Sequence, residues 1–375
     1  MPCTVFGLTC YPYGLTAGIG ALCYMAVALL LGKKAKVSTH ALLWYGVLGV
    51  PLGLVFARLF FCLVNIEYYL FALAQPLRIL AFWEGGYSMA GLLAGLVAAA
   101  WLAAKLQKTD FRALLDAAML PMGVLLFALR LAEGFTGELG VGRQVEVAGR
   151  LPFLYVTETM GTMELYRLAV FRYEAVFALA IFGLMLWFVR KPRRAGDPAM
   201  LFFALYGAGQ VLFESMRDDG HMVLGFIRVQ QVLALLAVLI ALGMLGRRWR
   251  RLHGARATVT AAWALLPLAA LIVILMLAPI NHVLDLSAHI PLGIALLGML
   301  GLYMAFYLRT RGANRRLIFT WMLALVLVIL CVLLEFSMDT SDAILRDYSL
   351  LALCCAALFC CPYSLYRALR KQEEA

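Results

Sequence analysis

The sequence predicts an all-α protein, a polytopic bundle of about eleven transmembrane helices. Of its 375 residues, 64% are hydrophobic and 14% are charged, and the mean hydropathy is +0.90. A soluble domain is about 45–50% apolar and about 25% charged. The apolar residues form runs close to the roughly 20 residues that cross a bilayer, and basic residues gather between alternate runs. This composition excludes a water-soluble globular protein.

The apolar runs define the predicted spans. No strand-like alternation competes with them, and a bilayer interior admits only helices or closed barrels. Eleven helices are expected, near residues 14–32, 42–64, 86–104, 113–130, 169–189, 199–214, 223–245, 259–280, 290–308, 317–336 and 348–365. The fourth of these runs contains Asp116, and the sixth is short.

The basic residues indicate the orientation of the bundle. Six clusters hold 22 of the 32 Lys and Arg residues, at 33–36, 105–112, 190–194, 247–256, 309–316 and 367–371. They fall on every second connection, so the positive-inside rule places the N-terminus outside and the C-terminus in the cytoplasm. On a soluble protein the net charge of +11 would suggest nucleic acid, but here it reports topology. We expect a membrane-embedded protein without a nucleic-acid partner.

The opposite side carries the two longest connections before residue 246. Residues 65–85 and 131–168 contain glycines and prolines, which suit irregular backbone. Functional residues tend to lie in such loops. The external histidines His221, His282 and His289 lack metal-ligand spacing, and we expect them to be solvated.

The nine cysteines form no recognisable framework, although Cys3 and Cys10 could pair with each other. No Cys-x-x-Cys pair accompanies histidines. We expect neither a metal nor a cofactor.

Several ionisable residues lie in or beside the predicted spans, where charge is costly. They are Arg58, Asp116, Arg130, Glu214 and Arg217. One interpretation is a set of buried ion pairs. The other is an anionic headgroup held by gathered arginines, because a guanidinium presents paired donors to phosphate. The glycine-containing runs 83–88 and 134–138 are open to two readings as well, either close approach to a ligand or simple turns.

A series of short motifs occurs in a fixed order along the first 246 residues. In that order they are Tyr13-Gly14-Leu15, Ala57-Arg58-Leu59, Trp83-Glu84-Gly85-Gly86-Tyr87-Ser88, Asp116 fourteen residues before Arg130, Arg130 through Glu138, Tyr173-Glu174, Tyr206-Gly207 followed by Glu214 and Arg217, and Gln231. The series resembles the prolipoprotein diacylglyceryl transferase family, bacterial inner-membrane enzymes with seven spanning helices.

The sequence departs from the family pattern at four places. The histidine of the Ser-x-His-Gly-Gly motif is Ala90, and the arginine four residues after Tyr206 is Gln210. The two asparagines of the signature that begins at Arg130 are Glu133 and Thr136. The His-Pro that precedes Tyr-Glu is replaced by the pair at 168–169.

The resemblance implies transfer of the diacylglyceryl group of phosphatidylglycerol to the lipobox cysteine of an exported prolipoprotein, with release of glycerol phosphate. It implies a multi-pass protein of the bacterial plasma membrane. Catalytic roles fall to Arg130, Glu138 and Glu214, with Arg130 and Arg217 binding phosphate and the two glutamates orienting them. Substrate-binding positions are Arg130, Arg217, Tyr13, Tyr206, Asp116, Gly85, Gly86 and Gln210, with Asp116 also supporting the fourth helix. Glu133 or Glu214 is the candidate base.

Two other functions stay open at this point. Ala90 and Gln210 favour a catalytically altered or inactive paralogue that binds lipid or assists assembly. A transporter is a third possibility, but the paired repeats common in transporters are not evident. Residues 247–375 lie outside the resemblance and are predicted to form a four-helix membrane extension. The acidic residues between 335 and 347 could form a solvated cap, an oligomerisation surface or a partner site.

Overall fold

Helices dominate the described part of the chain. The computed structural model describes residues 3–5, 8–34, 37–73, 75–136, 139–142, 144–145, 152–160, 163–191, 193–224, 227–234 and most of 236–251, together with Tyr366 and Arg370. Glu138, His282, His289 and most of the predicted extension lie outside the described residues. The coarse prediction of a mostly helical membrane protein is confirmed. The count of eleven spans and the orientation of the termini stay predictions.

The helical elements follow the order of the apolar runs. They are α1 (Pro12–Lys34), α2 (Thr39–Val64), α3 (Met89–Leu106), α4 (Phe111–Met119), α5 (Met122–Glu133), α6 (Val170–Phe188), α7 (Asp197–Met216) and a final segment, α8 (Val229–Leu245). Within the described residues, α1, α2, α3 and α6 are each long and apolar enough to cross a membrane. Counting α4 and α5 together as one span gives five.

The predicted fourth span is broken in the structure. Helices α4 and α5 meet at an angle of 46° instead of forming one rod over residues 113–130. Pro121 lies at the break. Proline has no backbone N–H to donate and its ring clashes with the preceding turn, so a helix kinks or ends there.

The expectation of irregular backbone between 131 and 168 is wrong for its second half. Strands β4 (Tyr155–Met160) and β5 (Met163–Leu168) form a regular antiparallel hairpin, and β3 (Gln144–Val145) pairs with β5. The described residues contain two further short hairpins. β1 (Cys3–Val5) pairs with β2 (Leu8–Cys10), and β6 (Val223–Leu224) pairs with β7 (Ile227–Arg228). The register of β1 and β2 aligns Cys3 with Cys10 along the backbone.

Contacts divide the chain into two units. The first contains residues up to 202 and residues 216–233, and the second contains residues 203–215 and those from 234 onward. In the first unit α2 packs against α3, and α5 packs against both α1 and α6. A buried hydroxyl pair joins three of its helices. The hydroxyls of Tyr24 and Tyr45 lie 2.7 Å apart, and Tyr24 donates to the carbonyl of Ala118 at 2.9 Å.

Glycines set the spacing between α2 and α3. A Cβ at Gly91 would lie 2.5 Å from the Phe56 carbonyl oxygen, and one at Gly95 would lie against the Leu52 carbonyl and 2.9 Å from the Gly53 Cα. Because these neighbours are backbone atoms, rotation of a side chain cannot relieve the clash. Small residues therefore allow the two backbones to approach closely, as in many membrane helix pairs.

Replacing Gly95 with alanine is expected to destabilise the protein by about 1–3 kcal/mol, the usual cost of overpacking a core. The matched control is Gly183→Ala in α6, where a Cβ would meet nothing within 4 Å. That change should be neutral or slightly stabilising, because alanine favours helix by about 1 kcal/mol over glycine. Denaturant unfolding in detergent micelles measures both variants. Equal stabilities for the two would contradict this explanation of the spacing.

Candidate functional site

Two buried arginines and two buried glutamates form a single cluster in the first unit. Arg130 and Glu133 lie in the last turn of α5, Glu174 lies in the first turns of α6, and Arg217 directly follows α7. Arg130 and Arg217 are only 2% and 3% exposed, so both guanidinium groups are withdrawn from bulk water. Tertiary folding thus assembles the cluster from three separate helix ends.

Each carboxylate of the cluster contacts both arginines. The Arg130 Nη1 lies 2.5 Å from Glu133 Oε1, and its Nε lies 3.0 Å from Glu174 Oε2. The Arg217 Nη2 contacts Glu133 Oε2 and lies 3.0 Å from Glu174 Oε2. Alternation of charge around the ring offsets the desolvation that an isolated buried ion would suffer.

A second layer of contacts fixes Arg217. Its Nη1 lies 3.6 Å from Asp219 Oδ2, which also accepts a hydrogen bond from the Gly140 amide at 3.0 Å. The Arg228 side chain donates to the Arg217 carbonyl. Gly140 has φ +73°, and a Cβ there would lie 2.7 Å from Glu133 Oε2. Glycine at this position therefore permits both the left-handed backbone and the close approach to the cluster.

Tyr13 and His221 lie near the charged cluster. Tyr13 of α1 interacts electrostatically with both Glu133 and Arg130, and with Tyr87. His221 is half-buried, stacks on Phe61 with ring centroids 5.3 Å apart, and places Nε2 3.1 Å from the Tyr87 carbonyl oxygen. His221 lies in a turn, as expected for a loop residue, but it is partly buried against Phe61 rather than fully solvated. Burial raises the pKa of the Tyr87 hydroxyl, which donates to the Phe82 carbonyl.

Arg58 has a different role from Arg130 and Arg217. Its guanidinium donates to the carbonyls of Arg78 at 2.8 Å and Ile79 at 3.2 Å, and also to those of Gly85 and Gly86. It therefore holds the loop between α2 and α3 to the end of α2. The positive φ angles of Gly85 and Gly86, +77° and +69°, are those of a turn that glycine favours.

A cavity of about 400 Å³ opens beside Arg58. Arg78, Glu84, Tyr68 and Tyr69 contribute to its lining, and Gly86 borders it. Of the two predicted substrate-binding glycines, Gly86 lies at this cavity, and the carbonyls of both Gly85 and Gly86 accept hydrogen bonds from Arg58.

Asp116 caps a helix. Its two carboxylate oxygens accept hydrogen bonds from the amides of Gly196 at 2.6 Å and Ala199 at 2.9 Å. Those amides belong to the start of α7, where N–H groups lack partners within the helix. The structure therefore assigns Asp116 to fixing the start of α7, rather than to the arginine cluster.

Three predicted site residues lie in the second unit. Tyr206, Gln210 and Glu214 occupy the part of α7 between residues 203 and 215, and all three are buried. The Gln210 Nε2 donates to Glu214 Oε1 at 3.0 Å. Their spacing of four residues places them on one face of the helix.

The arginine cluster brings two buried guanidinium groups together. Their contacts with Glu133 and Glu174 hold both groups in place, and Asp219 Oδ2 lies 3.6 Å from Arg217 Nη1. Preorganised donors of this kind stabilise negative charge.

Comparison with known sequences gives the family of this chain. Residues 3–247 match the sequence model described as prolipoprotein diacylglyceryl transferase. The chain belongs to the prolipoprotein diacylglyceryl transferase family. Similar proteins named phosphatidylglycerol–prolipoprotein diacylglyceryl transferase include one from Clostridioides difficile strain 630, 25% identical over 236 residues that cover 63% of this chain and 90% of that protein. Another, from Thermotoga maritima, is 32% identical over 220 residues, 55% of this chain and 68% of that protein.

A third relative carrying this name, from Streptococcus equi subsp. equi, is 27% identical over 247 residues, 65% of this chain and 93% of that protein. The resemblance read from the motifs is thereby confirmed.

In this member of the diacylglyceryl transferase family, sequence reasoning missed most of the partners of the two arginines. Glu133 was expected only as a possible base, and Glu174 only as part of a motif, whereas both hold Arg130 and Arg217. Asp219 was not predicted at all. A signal for Glu174 existed, since a carboxylate near the start of an apolar helix needs a partner, but the sequence did not identify that partner.

Proposed function

We propose that this chain is a phosphatidylglycerol–prolipoprotein diacylglyceryl transferase. The acceptor sulfur attacks the glyceryl carbon of phosphatidylglycerol, a C–S bond forms, and the C–O bond to phosphate breaks. The thiol proton is lost, and glycerol phosphate departs as an anion. The observation that carries this proposal is the buried Arg130–Arg217 pair, held by two carboxylates in a chain of this family.

The cluster supplies what this reaction needs most. The leaving group is a phosphate ester that departs with its negative charge, so it needs stabilisation rather than protonation. Arg130 and Arg217 bind the phosphate through paired N–H donors, and Glu133 and Glu174 orient them. Tyr13 lies close enough to the cluster to line the headgroup site. Water exclusion strengthens each of these electrostatic interactions.

The remaining site assignments rest on the family motifs. We assign Glu138 and Glu214 to orienting the arginines that bind phosphate. Tyr206 is assigned to lining the site of the lipid headgroup. Gly85 and Gly86 shape the external loop near the acceptor path.

The membrane arrangement is proposed from the charge pattern. Residues 1–246 form the seven-helix transferase domain, and residues 247–375 add four helices, giving eleven spans in a bacterial plasma membrane. The N-terminus lies outside and the C-terminus in the cytoplasm. A reporter protein that works only in the cytoplasm should therefore be active when it is fused after residue 375. Activity of a C-terminal reporter on the outer side would contradict this topology.

The transfer assay tests the activity directly. Membranes containing the protein should attach a labelled diacylglyceryl group from phosphatidylglycerol to a lipobox peptide and release glycerol phosphate. Replacement of the peptide cysteine with serine is the control and should give no product. The protein should also support growth of cells that lack their own transferase. Absence of transfer by a folded wild-type protein would contradict the proposal.

A second function is favoured by two substitutions. Ala90 and Gln210 stand where the family pattern has a histidine and an arginine. A paralogue without turnover would bind phosphatidylglycerol through the same arginine cluster and act as a lipid-binding or assembly protein. Saturable binding of phosphatidylglycerol without any transfer would support this second function.

A further inference from the structure

We propose that the cavity beside Arg58 binds the phosphodiester headgroup of a membrane phospholipid, at a site separate from the arginine cluster. The cavity has a volume of about 400 Å³, and its described lining residues all fall between positions 58 and 86. Pockets that bind small molecules usually have volumes of about 300–1,000 Å³. This inference goes beyond the proposed transfer reaction and does not depend on it.

Three charged side chains give the cavity a net positive charge. Arg58, Arg78 and Glu84 all contribute to its lining. Glu84 Oε1 lies 3.6 Å from Arg78 Nε, and Glu84 Oε2 lies 3.9 Å from Arg58 Nη2. One carboxylate thus faces two guanidinium groups, so one positive charge of the three groups is not neutralised. A phosphodiester carries a single negative charge at neutral pH and complements this site.

Arg58 supplies a fixed charge at the cavity. It is almost completely buried, and each of its three side-chain nitrogen atoms donates to a backbone carbonyl, those of Ile79, Gly85 and Arg78. Its Cζ also lies 5.5 Å from the centre of the Tyr69 ring. These contacts hold the guanidinium in place. Its charge still acts on a ligand in the cavity, because burial reduces screening by water.

Arg78 supplies the hydrogen-bond donors. Its side chain is 48% exposed, and among the described residues no hydrogen bond engages either of its Nη atoms. A guanidinium group binds a phosphate through two parallel N–H donors, which is the geometry that Arg78 offers. Asn65 and Tyr68 add further polar groups to the lining.

Exposed apolar side chains near the cavity favour a lipid over a soluble anion. Phe71, Leu77, Leu80 and Trp83 are each at least 61% exposed. They belong to the connection between α2 and α3, two helices long enough to cross a membrane, so they lie near one face of the bilayer. Tryptophan is enriched at this interface. A phospholipid bound by its headgroup would therefore place its acyl chains beside an apolar surface.

The test uses the fluorescence of Trp83 in the full-length protein in detergent micelles. Bromine atoms on the acyl chains of a phospholipid quench a nearby tryptophan, and the difference between the wild type and Trp83→Phe isolates the signal of Trp83. We expect quenching that saturates with brominated phosphatidylglycerol. Brominated phosphatidylcholine should quench less at the same concentration, because its choline brings a positive charge to a positive site. No acceptor peptide is present, so the result does not depend on transfer.

Two variants should shift the half-saturating lipid concentration in opposite directions. Arg78→Gln removes the charge and the paired donors, so this concentration should rise about tenfold, the effect of losing a hydrogen bond to a charged group. Glu84→Gln removes the opposing negative charge, so the concentration should fall. The matched control is Arg112→Gln, an exposed arginine of the basic cluster at 105–112, which should give the wild-type value.

Four outcomes would overturn this inference. The first is quenching that does not saturate, and the second is a wild-type half-saturating concentration in both Arg78→Gln and Glu84→Gln when each unfolds at the wild-type temperature. The third is displacement of the brominated lipid by dissolved glycerol phosphate, which would show a site for a soluble anion. The fourth is displacement by a lipobox peptide whose cysteine is replaced with serine, which would show a site for the acceptor polypeptide.

Discussion

Replacing Arg130 with glutamine should lower diacylglyceryl transfer by about 10²–10³-fold, the usual effect of removing one preorganised donor from a developing oxyanion. The reason is geometric. Arg130 is 2% exposed and is held by Glu133 and Glu174, so its donors are already oriented when the phosphate arrives. Glutamine lacks both the charge and the paired donors. The rate of labelled lipid transfer to a lipobox peptide measures the effect.

A second variant separates catalysis from folding. Arg130→Lys keeps the positive charge that balances the carboxylates, but an ammonium does not reproduce the planar, paired donors of a guanidinium. We expect this variant to fold and still to transfer slowly. The matched control is Arg112→Gln, since Arg112 is an exposed member of the basic cluster at 105–112 and should tolerate the change. If both folded Arg130 variants transferred at the wild-type rate, the phosphate-binding role would be wrong.

Replacing Glu174 with alanine is expected to cost about 3–5 kcal/mol in the free energy of unfolding, the range found when one partner of a buried ion pair is removed. The change removes one of the two buried carboxylates that contact both arginines, so the negative charge beside Arg130 and Arg217 is reduced. Denaturant unfolding in micelles measures the loss. The matched control is Glu158→Ala, which removes an exposed partner that lies 3.8 Å from Arg167. An exposed pair contributes only about 0–1 kcal/mol.

A double variant distinguishes stability from activity. Glu174→Leu combined with Arg217→Met removes one charge of each sign, and apolar replacement of a buried pair is often neutral for stability. We expect this protein to regain most of the lost stability but to transfer poorly, because one phosphate-binding arginine is missing. Equal losses of stability in Glu174→Ala and Glu158→Ala would contradict the view that the cluster is a tightly coupled ionic core.

Most of the helices could be predicted from the sequence, but one helix break and one β-hairpin differ from the prediction. Long apolar runs predicted α1, α2, α3 and α6 because each run alone can satisfy its backbone hydrogen bonds in a membrane. Proline chemistry explains the break at Pro121, although the continuous apolar run predicts one unbroken helix there. The hairpin of β4 and β5 differs from the prediction because glycine and proline between 131 and 168 suit irregular backbone, whereas pairing between the two strands decides their structure.

The sequence by itself determined that this is a helical membrane protein of the diacylglyceryl transferase family, with Arg130 and Arg217 as functional candidates. Hydropathy and charge are local properties, and ionisable groups beside apolar runs stand out without any knowledge of the fold. Only the tertiary structure decided which acids hold those arginines. Glu174 lies 43 residues from Arg217 along the chain, yet its carboxylate is 3.0 Å away. Such pairings depend on how helices pack, and spacing along the sequence does not encode that distance.

The same reason explains His221 and Arg58. The sequence predicts that His221 is a solvated loop residue and that Arg58 is a possible ligand for phosphate. Packing instead stacks His221 on Phe61 and engages Arg58 with backbone carbonyls of the loop between α2 and α3. Both roles follow from contacts between segments that are distant along the chain. The chemistry of each residue was therefore visible in the sequence, and its partner was fixed only by the fold.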